Sequence, residues 1–171
     1  IHTVPFEDFP LLPTLQNGTT LELAAQKLVA GLKAVWYSAS PSSMKPELSS
    51  VLITQQGENL VFAATDSFRL AEKRIEDGKV SDFGAILLPL KNIGEIIRNL
   101  EPISGDITIS FSNNQIAFST ENVYITSRII DGVFPDYNQI LPKEFTTEIV
   151  VLKQDFLQTL KISNVFSNSF N

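Results

Sequence analysis

The sequence predicts an α+β fold built from a repeated strand–helix–strand–strand–strand unit. A short β-like run leads into an amphipathic helix near Leu23, again near Lys91 and again near Lys153, a period of about 65 residues. The first two helices are each followed by three β-like runs. In the second unit these runs alternate apolar and polar residues, the pattern of strands with one solvated side. A unit that recurs at a fixed period usually builds a larger symmetric object rather than enclosing a single pocket.

The elements can be justified in order. Pro5, Pro10, Pro13 and Gly18 punctuate residues 1–18, which read as a tail whose Phe6, Phe9, Leu11 and Leu12 need a surface to pack on. A brief strand and a helix fill 19–37, with Leu28, Leu32 and Val35 at i, i+4 and i+7. Trp36 and Tyr37 at the helix end read as packing residues. A Ser- and Pro-rich loop at 38–47 precedes three strands, 48–54, 60–66 and 68–75, the first two joined by a turn at Gln56-Gly57-Glu58-Asn59. In the second unit, 85–88 is an apolar strand and Pro89 suits the first turn of a helix. Ile93, Ile96, Ile97 and Leu100 make that helix one-sided, and Pro102 stops it. Ile107, Ile109 and Phe111 form a strand, Asn113-Asn114 a tight turn, and Ile116, Phe118, Val123, Ile125 and Ile129 two further strands. The third unit begins with a strand at 148–152 and a helix around 153–163, then ends. The expected organisation is a tail of a first domain at 1–18, a complete middle domain at 19–143 and a truncated start of a third at 144–171. The absence of an initiator Met fits a piece of a longer protein.

Composition narrows the function classes. The chain is 43% hydrophobic with twelve Phe, enough for a core, and no apolar stretch has the length of a membrane span. With no Cys there are no disulfides, thiol nucleophiles or thiolate metal sites, and the single His is in the tail. No Gly-rich phosphate loop or nucleophile elbow is present, and the carboxylates form no acid–base or metal motif. No catalytic residue, metal ligand or cofactor is therefore expected. The net charge of −6 argues on its face against nucleic acid. Its distribution argues otherwise: helical segments 23–37, 90–100 and 153–162 hold six basic and two acidic residues, while the rest holds seven and seventeen. Ordinary solvated helix faces account for this contrast equally well.

Two segments resemble the bacterial sliding clamps, the β subunits of DNA polymerase III. Ala63-Ala64-Thr65-Asp66-Ser67-Phe68-Arg69-Leu70-Ala71 is similar to that family's ATD-x-x-RLA segment. Asp131-Gly132-Val133-Phe134-Pro135-Asp136-Tyr137, continuing to Pro142, is similar to its DG-x-FPDY-x-x-x-P segment. Both lie in the family's order and spacing, and the likeness covers the chain through Phe166-Ser167-Asn168. The resemblance implies the DNA-clamp fold, with helices on one face of antiparallel sheets. Two three-domain subunits then close as a homodimer ring around double-stranded DNA. The implied protein is a cytoplasmic, non-catalytic processivity factor that tethers the polymerase III catalytic subunit, the clamp loader and other clamp-binding-motif proteins. Lys27, Lys33, Lys91 and Arg98 are the implied DNA-facing residues.

The resemblance also implies a hydrophobic pocket between the second and third domains for peptides of roughly Gln-Leu-x-Leu-Phe type. It assigns Leu48, Thr65, Ser67, Phe68, Arg69 and Leu70 to one wall and Pro135, Gln139 and Ile140 to the connector. Burying each peptide Leu or Phe is worth roughly 1.5–3 kcal/mol, with Thr65 and Arg69 as polar handles. Two positions depart from the family pattern: Phe68 stands where His is common and Gln139 where Arg is common, so this rim is less cationic. Without the resemblance, Leu48, Leu70 and Ile140 read as plain core, and Asp66 reads as a turn residue capping backbone amides. A protein-docking module with no DNA role is the alternative reading.

Overall fold

The computed structural model describes residues 5, 15, 19–76, 83–112 and 114–166. The expected tail at 1–18, apart from Pro5 and Leu15, lies outside these residues, as do Asn113 of the expected turn and Ser167-Asn168. The chain divides into two compact units, 1–135 and 136–171.

The first unit contains β1 (Thr19–Ala24), α1 (Ala25–Val35), β2 (Ser50–Gln56), β3 (Asn59–Thr65), β4 (Leu70–Glu76), β5 (Ala85–Pro89), α2 (Leu90–Leu100), β6 (Asp106–Phe111), β7 (Gln115–Ser119) and β8 (Tyr124–Arg128). The strand–helix–strand–strand–strand order thus occurs twice, and pairing crosses between the two copies. One antiparallel sheet runs β1-β6-β7-β8 and the other β4-β3-β2-β5. Each copy's lead strand is lent to the other: Leu21 pairs with Ile109, and Leu52 with Leu87.

The lead strands seat both helices in the same way. Neither helix has a side-chain N-cap. Instead the Ala25 N–H donates to the Gly105 carbonyl at 2.9 Å and the Leu90 N–H to the Ser49 carbonyl at 3.0 Å. Gly105 and Ser49 each immediately precede the strand that pairs with the lead strand, so one backbone bond satisfies one of the orphan donors of each helix. From α1, Leu28, Val29, Leu32 and Val35 share one core with Ile93, Ile96, Ile97 and Leu100 of α2. Val51, Ile53, Leu60 and Phe62 of one sheet and Ile107, Ile109, Ile116 and Phe118 of the other complete it. The opposite face of the β2–β3–β5 region is also buried, at Leu52, Ala63 and Leu87. After β8 the chain crosses to this sheet, where the Ile130 N–H donates to the Leu87 carbonyl at 2.9 Å.

Several local expectations shift by a residue or more. Strand β2 begins at Ser50 because Leu48 and Ser49 donate their N–H groups to the Lys45 carbonyl in a turn. Strand β4 begins at Leu70 because residues 66–69 form a loop with Ser67 at φ 79°. Pro89 closes β5 and stands at the N-cap of α2 rather than inside its first turn. Trp36 and Tyr37 sit in a short 3-10 turn and are half-exposed, not packed.

In the second unit, a one-turn 3-10 helix at Tyr137–Gln139 precedes α3 (Lys153–Val165). The expected strand at 148–152 is not formed, since no strand among the described residues supplies it a ladder partner. Phe156, Leu157 and Leu160 of α3 are exposed.

Helix α1 approaches the sheet closely at Gly31, where a Cβ would overlap the ring of Phe62. Phe62 is fully buried and has little room to move. Gly31→Ala gains about 1 kcal/mol of helix propensity but overpacks this contact, at a cost of about 1–3 kcal/mol. The expected result is a net loss of stability, read as a lower urea midpoint at unchanged m-value; a rise in midpoint would show that the ring yields.

Candidate functional site

The ATD-x-x-RLA segment folds into a four-residue loop joining β3 to β4, and its polar side chains are largely committed to holding it. The Thr65 hydroxyl donates to the Arg69 carbonyl at 2.8 Å and accepts from the Ser67 N–H at 3.1 Å. The Asp66 carboxylate accepts from the N–H groups of Phe68 and Arg69, both at 3.0 Å, and its second oxygen meets Arg69 Nε at 3.0 Å. The Phe68 N–H holds the Asp66 carboxyl below its ordinary value of 3.8, partial burial opposes this, and Arg69 adds to the lowering. The backbone at Ser67 is left-handed, which costs energy for a residue with a Cβ. Five side-chain hydrogen bonds therefore fix a strained turn, and its product is Phe68, 97% exposed at the tip.

The other expected pocket residues differ in placement. Leu48 is buried and Leu70 half-buried. Pro135, the last residue of the first unit, is exposed. Gln139 and Ile140 belong to the second unit. There Asp136 accepts from Gln139 Nε2 at 2.9 Å and from the Asn138 N–H at 3.3 Å. Gln139 first, then Asn138, hold the Asp136 carboxyl below its ordinary value. Ile140 follows this turn, 72% exposed.

The four basic helix residues lie on or beside the outward faces of α1 and α2. Lys91, Glu95 and Arg98 occupy i, i+4 and i+7 of α2, and all are exposed. Three of the four cations are engaged within the protein. Arg98 pairs with Glu95, Lys33 pairs with Glu101, and Lys27 Nζ donates to the Glu76 carbonyl at 3.1 Å. Gln26 reinforces the Lys33 link by donating to the carbonyls of Glu101 at 2.7 Å and Ile103 at 3.1 Å, so α1 caps the C-terminal end of α2. Sequence reasoning missed Gln26 and Glu101, because partners 75 residues apart leave no local signal.

The sequence profile of the central domain of DNA polymerase III beta subunits matches residues 22–136. The chain belongs to this family. Among curated relatives, the beta sliding clamp of Synechococcus elongatus is 30% identical over 96% of this chain and 45% of its own length. That of Staphylococcus aureus is 27% identical over 90% of this chain and 41% of its own. The chain spans less than half the length of these sliding clamps. Among solved structures, the Bartonella birtlesii sliding clamp bound to griselimycin superposes with a TM-score of 0.83 at 30% identity, covering 97% of this chain and 46% of that one. The Pseudomonas aeruginosa clamp bound to griselimycin gives 0.88 at 26%, covering 98% and 46%.

For this clamp domain the loop geometry sets a clear expectation. Asp66→Ala removes the acceptor of two loop N–H groups, so amide exchange at Phe68 and Arg69 should quicken by at least about threefold, with Asp66→Asn partly restoring protection. The folded-state pKa is depressed, so the loop's stabilisation is complete above the ordinary 3.8 and is lost as pH falls through the lower folded value. Proton NMR of the two amides between pH 6 and pH 2.5 reads both effects; exchange indifferent to the substitution would show that Asp66 does not hold the loop.

Proposed function

We propose that this chain is the middle section of a sliding clamp: a complete central domain at 19–143, preceded by the tail of one neighbour at 1–18 and followed by the start of another at 144–171. In this reading two full-length subunits close into a ring around duplex DNA, with the helices toward the DNA and the sheets outward. The ring is a non-catalytic processivity subunit of DNA polymerase III, working in the bacterial cytoplasm. It tethers the polymerase, the clamp loader and other proteins carrying the clamp-binding motif. The profile match over 22–136 carries the proposal. The cations on the outward faces of α1 and α2, in a chain of net charge −6, support it, since a lining that faces phosphates needs to be less acidic than the rim. Their partial neutralisation by Glu95 and Glu101 suits a ring that slides, because strong direct contacts would pin it.

The partner pocket is proposed at Leu48, Thr65, Ser67, Phe68, Arg69, Leu70, Pro135, Gln139 and Ile140. On the first unit the exposure of Phe68 and the half-burial of Leu70 leave apolar surface for a peptide's Leu or Phe, and on the second unit Ile140 is exposed as well. That two relatives are bound to griselimycin supports a ligand-holding surface on this fold. A docking module with no DNA role would share the pocket but would have no use for cationic helix faces.

Loading a full-length clamp that carries this segment onto nicked circular DNA, then linearising the DNA, tests the ring. Retention on circles and loss on linearisation is the expected result; equal retention on both forms removes the ring reading. Replacing Lys27, Lys33, Lys91 and Arg98 together by Glu should lower DNA retention and processivity, and no change in either would favour the docking module. For the pocket, Leu70→Ala with Ile140→Ala should weaken binding of a Gln-Leu-x-Leu-Phe peptide by at least about tenfold, two apolar contacts being lost. Calorimetry on the folded variant decides this, and unchanged affinity would place the peptide elsewhere.

A further inference from the structure

Beyond β8 the chain is held at two successive residues and then released. The Ile129 N–H donates to the Asn114 carbonyl and the Ile130 N–H to the Leu87 carbonyl, both at 2.9 Å. Asp131 and Gly132 follow, exposed and in neither helix nor strand. Among the described residues, no hydrogen bond or ion pair engages the Asp131 carboxylate, and no acceptor takes the Gly132 N–H. The carboxylates of Asp66 and Asp136 are instead each tied to backbone N–H groups, and the residues after them, Ser67 and Tyr137, carry side chains. Asp131 is the one aspartate followed by glycine among the described residues.

A free carboxyl beside a free glycine amide has a definite chemistry. The amide nitrogen attacks the side-chain Cγ of the preceding aspartate and closes a five-membered succinimide. The N–Cγ bond forms, the C–OH bond of the carboxyl breaks, and the hydroxyl leaves with the amide proton as water. Water then reopens the ring at either carbonyl. Opening at Cγ restores aspartate. Opening at the main-chain carbonyl leaves isoaspartate, in which the main chain runs through Cβ and Cγ. The net change is an isomerisation that needs no oxidant, reductant or cofactor. Glycine favours it because the backbone can turn its nitrogen toward the side chain with no Cβ in the way. An amide already donating a hydrogen bond would first have to give that bond up.

We propose that Asp131-Gly132 is a self-modification site, a junction that isomerises to isoaspartate while the protein stays folded. Each event adds one carbon to the main chain between the Ile130 anchor and Pro135, the last residue of the first unit. The protein thereby carries a mark of its own age at the start of its connector. The proposal stands whether or not the ring and pocket readings do. A second Asp-Gly pair, Asp77-Gly78, lies outside the described residues.

The test ages a full-length clamp carrying this segment in mildly acidic buffer and digests it with trypsin at intervals. Cleavage after Arg128 and Lys143 isolates residues 129–143, which hold Asp131 and, as an internal control, Asp136. The pair at 77–78 falls on a different peptide. Electron-transfer fragmentation locates the extra main-chain carbon. Isoaspartate should accumulate at 131 at least about tenfold faster than at 136. A Cβ built at Gly132 meets nothing nearer than 3.8 Å, so Gly132→Ala should fold, as unchanged circular dichroism will show. It should slow the reaction at 131 at least about tenfold. Asp131→Glu keeps the charge and should abolish the reaction, because the ring would have six members. A synthetic peptide of residues 129–143 sets the unfolded rate, and the folded protein should come within about tenfold of it. A smaller contrast between 131 and 136, or between wild type and Gly132→Ala, would overturn the proposal. A folded protein slower than the peptide by more than that factor would overturn it too, by showing that the fold shields the junction.

Discussion

Two backbone hydrogen bonds, Ala25 N–H to Gly105 and Leu90 N–H to Ser49, set the position of nearly everything else in the domain. They exist because each copy of the repeat lends its first strand to the other copy's sheet. A lead strand that pairs across the domain delivers its helix to a fixed starting point, and the helix then covers a core drawn from both sheets. The exchange also explains why neither helix begins with a capping side chain: the neighbouring strand's approach supplies the acceptor that Ser or Asp supplies elsewhere. Gly31 completes the arrangement, since only a missing side chain lets α1 settle onto Phe62.

The elements themselves were largely legible from local pattern. Helix α2 falls on 90–100 as its Ile93, Ile96, Ile97 and Leu100 spacing requires, and the turn at Gly57 joins β2 to β3 with the glycine at φ 62°. The pairing was not legible. That Leu21 meets Ile109 and not a strand of its own repeat depends on contacts far apart in sequence, and both alternatives present the same alternation of apolar residues. The site divides in the same way. Asp66 as a turn residue follows from its chemistry, but the left-handed Ser67 that projects Phe68 does not, because serine carries no preference for that conformation. Trp36 and Tyr37 read as packing residues on hydrophobicity alone, and their placement in a surface turn overrides that weak signal.

Electrostatics in this domain is a matter of placement more than amount. Arg98–Glu95 and Lys33–Glu101 are solvent-exposed pairs, worth little to stability. They do moderate the field of the helix faces, and Lys33 and Arg98 also lie in the last turns of their helices, where the dipole favours cations. In the ring reading, such a lining attracts a polyanion without gripping it, while the acidic excess is carried elsewhere on the surface. The ordered loop at 66–69 follows a different logic: its carboxylate is turned inward on the backbone, and the exposed Phe68 ring is offered to solvent beside the half-exposed Arg69.

The strand exchange also bears on how the chain is made. Strand β1 emerges from the ribosome long before β6, and at about 5–20 residues per second the wait is on the order of 5–15 s. Through that interval α1 has no seat at Gly105, and Leu28, Leu32 and Val35 have only the half-built sheet of β2, β3 and β4 to lie against. Synthesis of the second repeat is thus the step that closes the first, and the apolar face of α1 stays incompletely covered until β6 arrives.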